Sequence, residues 1–177
     1  MTRTEVRISG LGGQGVVLAG QILGRAAVRD GKHVVQTQSY GAEARGSAAK
    51  SEVIISDRKI GFPMVRKCDI LVAMSQSALN VHLNDLKEAA TLLVDRELVK
   101  DIPEVEAKIF QLPTTQTAEK ALHSKIYANV IMLGALTQIT RVVSDKAMKH
   151  AIRESVRANT VQANLQAFEE GMKLQPT

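Results

Sequence analysis

Apolar and polar positions alternate with a period of two over Glu5–Ser9, then change to a helical spacing from about Gly13 to Asp30. Val17, Ile22, Ala26 and Val28 spread widely around that helix, and Gly31 is a natural stop for it. His33–Gln38 returns to strand character, a loop runs from Ser39 to Gly46, and Ser47–Ser56 holds the strand core Val53-Ile54-Ile55. Ile70–Met74 predicts a short buried strand, Ser75–Leu83 a helix, and Thr91–Asp95 and Lys108–Leu112 two more strands, the second stopped by Pro113. Beyond Pro113 only helices are predicted, in two or three pieces: about Thr117–Thr140, then Asp145 to roughly Gly171. Met148, Ile152 and Val156 fall at helical spacing there, as do Val161, Leu165 and Phe168. Strands alternating with helices, followed by a helical tail, predict an α/β fold. The expectation is a single domain over residues 1–177: a mostly parallel sheet flanked by helices, with a helical C-terminal part.

Composition narrows the chemistry. Two tyrosines, three phenylalanines and no tryptophan leave an aliphatic core and few platforms for base stacking. No basic helix or RNA-binding signature accompanies the net charge of +5, so nucleic acid is not the expected partner. Nine basic residues face five acidic ones up to position 60, against fourteen and thirteen after it. A basic rim around a phosphate site would produce this bias, and so would a face meeting an acidic partner subunit. Cys68 is the only cysteine, which excludes an internal disulfide and the four thiolates of an iron–sulfur cluster. It is expected at the start of a buried strand, as a small apolar residue. His33, His82, His123 and His150 are scattered without metal-ligand spacing, so no metal site is expected. The most apolar helix candidate, Ile126 to Ile139, is interrupted by polar residues and too short to span a bilayer. Charges at positions 3, 5 and 7 speak against a signal peptide, and the expected location is cytoplasmic, with no membrane contact.

Four glycines fall within six residues where the first strand meets the first helix: Gly10, Gly12, Gly13 and Gly15. Gly10, Gly12 and Gly15 fit G-x-G-x-x-G in the strand–loop–helix setting that gives the motif its meaning. Missing Cβ atoms allow a tight turn and a close approach, and the helix start offers free N–H groups to a phosphate. A dinucleotide site would also need a carboxylate at the end of the second strand. Gln36-Thr37-Gln38-Ser39 has none; Asp30 lies at the far end of the first helix, and Glu43 lies well past the strand. That argues against NAD. A glycine turn that only packs strand against helix remains the alternative on this motif alone.

A second loop, Ser39-Tyr40-Gly41-Ala42-Glu43-Ala44-Arg45-Gly46-Ser47, follows a strand expected to end on the same sheet edge. Together, G-L-G-G-Q-G-V at Gly10–Val16, A-G-x-I-L-x-x-A-A at Ala19–Ala27 and S-Y-G-x-E-x-R-G at Ser39–Gly46 resemble the gamma subunit of 2-oxoacid:ferredoxin oxidoreductases. The resemblance continues through Ser56-Asp57, Cys68–Ala73 and Asn129–Gly134 to Asn164, Phe168 and Gly171. One departure is Ser47, where the family often has a second glycine after the arginine–glycine pair.

The resemblance implies oxidation of a 2-oxoacid, with 2-oxoglutarate favoured, to acyl-CoA and CO2 with reduction of ferredoxin. It implies alpha and beta subunits, and a ferredoxin-like delta subunit where present. Thiamine diphosphate, magnesium and the iron–sulfur clusters would be carried by those other subunits, and the isolated chain would be inactive. Gly10, Gly12, Gly13, Gln14 and Gly15 would then contact coenzyme A. Backbone N–H groups of Gly12, Gly13, Gln14 and Gly15 are expected on its pyrophosphate; the Gln14 side chain is either a further donor or simply a helix N-terminal residue. Tyr40, Gly41, Glu43, Arg45 and Gly46 would either shape that pocket or dock onto the thiamine-binding subunits. No residue is assigned a catalytic role. Two alternatives stand beside this reading: a free-standing nucleotide-binding α/β protein, and an assembly scaffold whose glycines serve only packing.

Overall fold

A computed structural model describes residues 3–41 and 47–175. Six strands form one sheet: β1 Arg3–Leu11, β2 His33–Tyr40, β3 Ala48–Ser56, β4 Cys68–Ala73, β5 Leu86–Asp95 and β6 Ala107–Leu112. Their spatial order is β2-β3-β1-β4-β5-β6. β1, β4, β5 and β6 pair in parallel, whereas β3 is antiparallel to both β1 and β2. Only β3 therefore runs against the rest, and the mostly parallel sheet expected from the sequence is what forms. After β1 the chain crosses to the β2 side; after β4 it crosses the other way, to β5. The gap between the carboxyl ends of β1 and β4 is thus a topological switch point, where open α/β sheets hold ligands.

Helix α1, Val16–Arg29, covers the first face of the sheet. Its Gly20 sits so close to Ser51 of β3 that a Cβ there would collide with the serine side chain. Helices α3 Thr114–Leu122, α4 Ala128–Thr140, α5 Asp145–Ser155 and α6 Val161–Lys173 complete that face. The second face has the short helix α2, Gln76–His82, and the segments before β4 and after β5, which bring Val65, Val99 and Ile102 onto Leu71, Leu79 and Leu92. Cys68 opens β4 fully buried, and burial pushes its thiol up to about 12, so it packs as a neutral group. Among the described residues no helix is long and apolar enough to cross a membrane.

The helical part is more broken than the periodicity predicts. The span Thr117–Thr140 divides into α3 and α4, with His123 at φ +53 and a single 3-10 turn at Lys125–Tyr127 between them. α3 also begins earlier, at Thr114, because the buried Asp95 at the end of β5 reaches over to cap it. That carboxylate accepts from the Thr114 hydroxyl, from the Thr115 N–H at 2.8 Å and from the Thr115 hydroxyl at 2.7 Å. The span Asp145–Gly171 likewise divides, at a turn over Ala158–Thr160. α1 starts at Val16 rather than Gly13, since Gly13 (φ +96) and Gly15 (φ +71) hold backbone angles that a right-handed helix does not use.

α4 is buried on every side from Ala128 to Thr137 and reaches solvent only in its last turn, at Gln138. It meets α6 through Gly134 and Gly171: a Cβ on Gly134 would lie 2.9 Å from the Gly171 Cα, and one on Gly171 would strike the Ile131 carbonyl. Gly171→Ala should cost about 1–3 kcal/mol through overpacking, read as a melting temperature lower by about 3–10 °C. Gly61→Ala is the control, since its Cβ would meet nothing within 4 Å. Equal melting of the two variants would show that the helices do not depend on this contact.

On the second face, Arg7 is buried at 3% exposure inside β1. Its Nε donates to Glu52 Oε1 at 2.8 Å, its Nη2 to the Val65 carbonyl at 3.0 Å, and its Nη1 to Asp85. His82 joins the cluster with Nδ1 3.1 Å from Asp85 Oδ2. Burial, assisted by the Arg7 charge and opposed by Asp85, pushes His82 below its ordinary value of 6.5. The folded state therefore favours neutral imidazole. Stability from this site is complete above pH 6.5 and falls as pH drops below that value, because the unfolded chain takes up the proton first. Melting curves between pH 7.5 and pH 5.5 should show a fall in melting temperature toward the lower pH, and His82→Gln should flatten it; an unaltered slope would place its origin elsewhere.

Candidate functional site

β1 delivers the glycine run to the switch point. Gly10 has room for no side chain: a Cβ there would collide with the Gln14 side chain and sit 3.0 Å from Val16 Cγ2 and 3.2 Å from Met74 Cβ. The loop then turns on internal bonds. Gly12 N–H donates to the Ser47 carbonyl at 2.8 Å and Gln14 N–H to the Leu11 carbonyl at 3.1 Å. Gln14 folds its amide back, accepting from Leu11 N–H at 2.6 Å and donating to the Met74 carbonyl at 2.8 Å. It thereby joins the ends of β1 and β4. Gly15, where a Cβ would collide with Asn129 of α4, has its carbonyl held by Asn129 Nδ2 at 3.1 Å.

These bonds divide the expected phosphate donors into two groups. The N–H groups of Gly12 and Gln14, and the Gln14 side-chain N–H, already have protein acceptors. Gly13 and Gly15 N–H have none among the described residues. Val16, Val17 and Leu18 add the unpaired donors of a first helical turn. Among the described residues no side chain caps α1, and no acidic residue stands in its first turn. A helix start without its own cap or carboxylate is open to an external anion.

Tyr40 ends β2 at the same sheet edge, with its ring 62% exposed, and Gly41 N–H donates to the Ala48 carbonyl at 2.7 Å. Glu43, Arg45 and Gly46 lie outside the described residues. The glycine loop separates two open cavities. One, of about 440 Å³, lies between Gly12, Gly13, Leu18, Gln21 and Tyr40. The other, of about 350 Å³, lies between Gly13, Gly15, Ile126, Tyr127, Arg157 and Asn164. Gly13, Gly15 and Leu18 line both. A larger groove of about 720 Å³ runs between α1 and β2, lined by none of these donors, and its Arg29 is already paired with Glu154.

Among the described residues, the charge bias of the first sixty does not form a rim here. Arg3 pairs with Glu5, Arg7 with Glu52 and Asp85, Arg29 with Glu154, and Lys32 with Asp57. None of the described cations of that segment lines either cavity, and neither lining contains a carboxylate. Among the described residues the cation in these linings is Arg157, from the turn before α6, with Asn164 farther along in α6 itself. Sequence reasoning did not single out Arg157, Asn129 or Ile126 as site residues. The available signal was polar interruption of apolar helices, as at Asn129 and Asn164. Asp30 caps the opposite end of α1, where it accepts from Ser144 N–H at 2.6 Å and the Ser144 hydroxyl at 2.7 Å. It is far from any ribose at the glycine loop.

Residues 5–174 match the family described as pyruvate ferredoxin/flavodoxin oxidoreductase. The 2-oxoglutarate synthase subunit KorC of Methanocaldococcus jannaschii is 50% identical over 175 residues, covering 97% of this chain and 94% of that protein. The gamma subunit of a keto/oxoacid ferredoxin oxidoreductase from Geobacter sulfurreducens superposes with a TM-score of 0.86 at 43% identity, over 96% of each chain. A 2-oxoglutarate:ferredoxin oxidoreductase from Magnetococcus marinus was solved with 2-oxoglutarate, coenzyme A and succinyl-CoA bound. It shares the fold with a TM-score of 0.85 at 23% identity, over 97% of this chain and 31% of that one. The fold, the glycine loop at its switch point and these likenesses agree: the chain belongs to the pyruvate ferredoxin/flavodoxin oxidoreductase family.

Proposed function

We propose that this chain is the gamma subunit of a coenzyme A-dependent 2-oxoacid:ferredoxin oxidoreductase acting on 2-oxoglutarate. The enzyme would convert the oxoacid and coenzyme A to acyl-CoA and CO2, passing electrons to ferredoxin. The choice of 2-oxoglutarate follows the KorC relative at 50% identity. Thiamine diphosphate with magnesium, and the iron–sulfur clusters, would belong to alpha, beta and delta partners. Two features support that division: the chain has one cysteine, and burial keeps its thiol protonated.

The observation that carries the coenzyme A assignment is the uncapped, carboxylate-free start of α1, beside Gly13 in open space. Gly13, Gly15 and the first turn of α1 would receive the pyrophosphate, while Gly10, Gly12 and Gln14 hold the loop in shape. Tyr40 would serve the adenine side of the pocket. Gly41, Glu43, Arg45 and Gly46, which follow it in sequence, either extend the pocket or dock a partner subunit.

Gly13→Asp should raise the KM for coenzyme A in the assembled enzyme, leaving thiamine-dependent decarboxylation nearly intact. Repulsion of a phosphate together with loss of a charge-assisted bond, ~1.5–3 kcal/mol, corresponds to about a 10- to 100-fold rise. Gly13→Asn shares the shape and the φ strain without the charge, and should show a much smaller rise. Similar KM values for Asp, Asn and the parent would sink the assignment.

A further inference from the structure

The connection from β3 to β4 has no part in the glycine loop. β3 runs antiparallel to β1 with Ser56 opposite Arg3, so residues 57–67 cross the sheet at the amino end of β1, the edge away from the switch point. Two arginines of β1 tie this connection down. Arg3 Nη2 donates to the Phe62 carbonyl at 3.2 Å, and Nη2 of the buried Arg7 to the Val65 carbonyl at 3.0 Å. The Val65 side chain enters the core of the second face. Phe62 and Met64 do not: they are 46% and 60% exposed, on either side of Pro63, whose ring restricts the backbone around it. The Arg66 guanidinium lies 5.3 Å from the centre of the Phe62 ring and helps to hold it there.

The charge around these two side chains is one-sided. An open cavity of about 460 Å³ has Phe62 and Met64 in its lining together with four cations, Arg3, Arg66, Lys67 and Lys87, and a single carboxylate, Glu5. Glu5 is already bonded to Arg3 at 2.7 Å and to Lys87 at 2.9 Å, and the neighbouring Asp69 to Lys87 at 2.9 Å. Arg66 and Lys67 have no ion-pair partner among the described residues, and neither have the exposed Arg58 and Lys59 earlier in the same connection. An apolar centre of Phe and Met, with Arg beside it and charge around it, is the anatomy of a protein–protein interface. We propose that this sheet edge docks an acidic face of another subunit of the oxidoreductase, with Phe62 and Met64 buried at the centre and partner carboxylates on Arg66, Lys67, Arg58 and Lys59. The proposal rests on the chain being one subunit of such a complex. The tethered backbone lowers the ordering cost of binding, and the unpaired cations steer the acidic face toward it. A permanent subunit fits better than a mobile electron carrier, because a chain with one cysteine has too few thiolates for a cluster that could reduce a carrier docked on it.

The test measures association of the full chain with its partner subunits, by size-exclusion chromatography and by titration at several salt concentrations. Arg66→Glu combined with Lys67→Glu should weaken association about 10- to 100-fold at low salt, and less as salt screens the charges. Met64→Asp, at the apolar centre, should weaken it about tenfold at every salt concentration. Arg66→Lys combined with Lys67→Arg keeps the charge and should associate like the parent, as should Lys120→Glu, a change at an exposed cation of α3. All these positions are exposed, so the free chains should melt together and a loss of binding is not a loss of folding. Equal association of the parent and the double charge reversal overturns the proposal. Normal assembly with a raised KM for ferredoxin would assign the patch to the electron carrier, and normal assembly with lost binding to phosphatidylserine vesicles would assign it to a lipid surface; either result overturns it too. A parent chain that joins no partner subunit would overturn the proposed function itself, whereas equal assembly of parent and variants removes only this surface.

Discussion

The side chain of Gln14 holds the site open. Its amide accepts from Leu11 N–H and donates to the Met74 carbonyl, so one planar group connects the carboxyl ends of β1 and β4 across the switch point. Each bond is worth only about 0.5–1.5 kcal/mol net, but their geometry is restrictive. With the amide folded under the loop, Gly10 must lack a Cβ, and the backbone has to pass through positive φ at Gly13 and Gly15 before α1 begins. The result is a turn whose own needs are met from beneath. The N–H groups of Gly13, Gly15 and the first turn of α1 are therefore left for an outside acceptor.

The remaining packing fixes where those groups point. Gly20 brings α1 down onto Ser51 of β3, and Gly134 against Gly171 brings α4 and α6 into backbone contact. α4 then presents Asn129 to the Gly15 carbonyl, and α6 presents Asn164 to the cavity beside it. An aliphatic core packed through glycine contacts tolerates little displacement. The position of the loop thus follows from contacts distributed over the first face of the sheet, and a helix shift of an ångström would disturb the site without altering any residue in it.

Much of this was legible in the sequence, and the limits have physical causes. The strand–glycine–helix sequence at Val6–Val16 and the alternation through Leu112 determine the α/β class and place Gly10 and Tyr40 on one sheet edge. The breaks at His123 and Ala158–Thr160 were not legible, since apolar spacing continues through them and the capping carboxylate of α3, Asp95, comes from a strand nineteen residues earlier. The Gln14 side chain could be read either as a ligand donor or as a helix-start residue; its partner Met74 lies sixty residues away and decides for bracing the loop. Asn164 was concealed for a similar reason. On a helix it reads as one polar position in an apolar stripe, and only the fold brings it into one cavity with Gly13 and Gly15.

The location of the charges suggests how such a site works within a larger enzyme. Four cations of the first sixty residues, Arg3, Arg7, Arg29 and Lys32, are held in ion pairs with Glu5, Glu52, Asp85, Glu154 and Asp57, none of which lines either cavity. Among the described residues, what remains at the cleft is an array of fixed N–H dipoles and the exposed guanidinium of Arg157. Dipoles of this kind gain strength as water is excluded, because their interaction with an anion scales inversely with the local dielectric. In open grooves they would hold a phosphate loosely. Covered by a neighbouring subunit, the same groups would hold it firmly, at no cost in rearrangement. On the proposed function, coenzyme affinity would thereby depend on assembly of the complex.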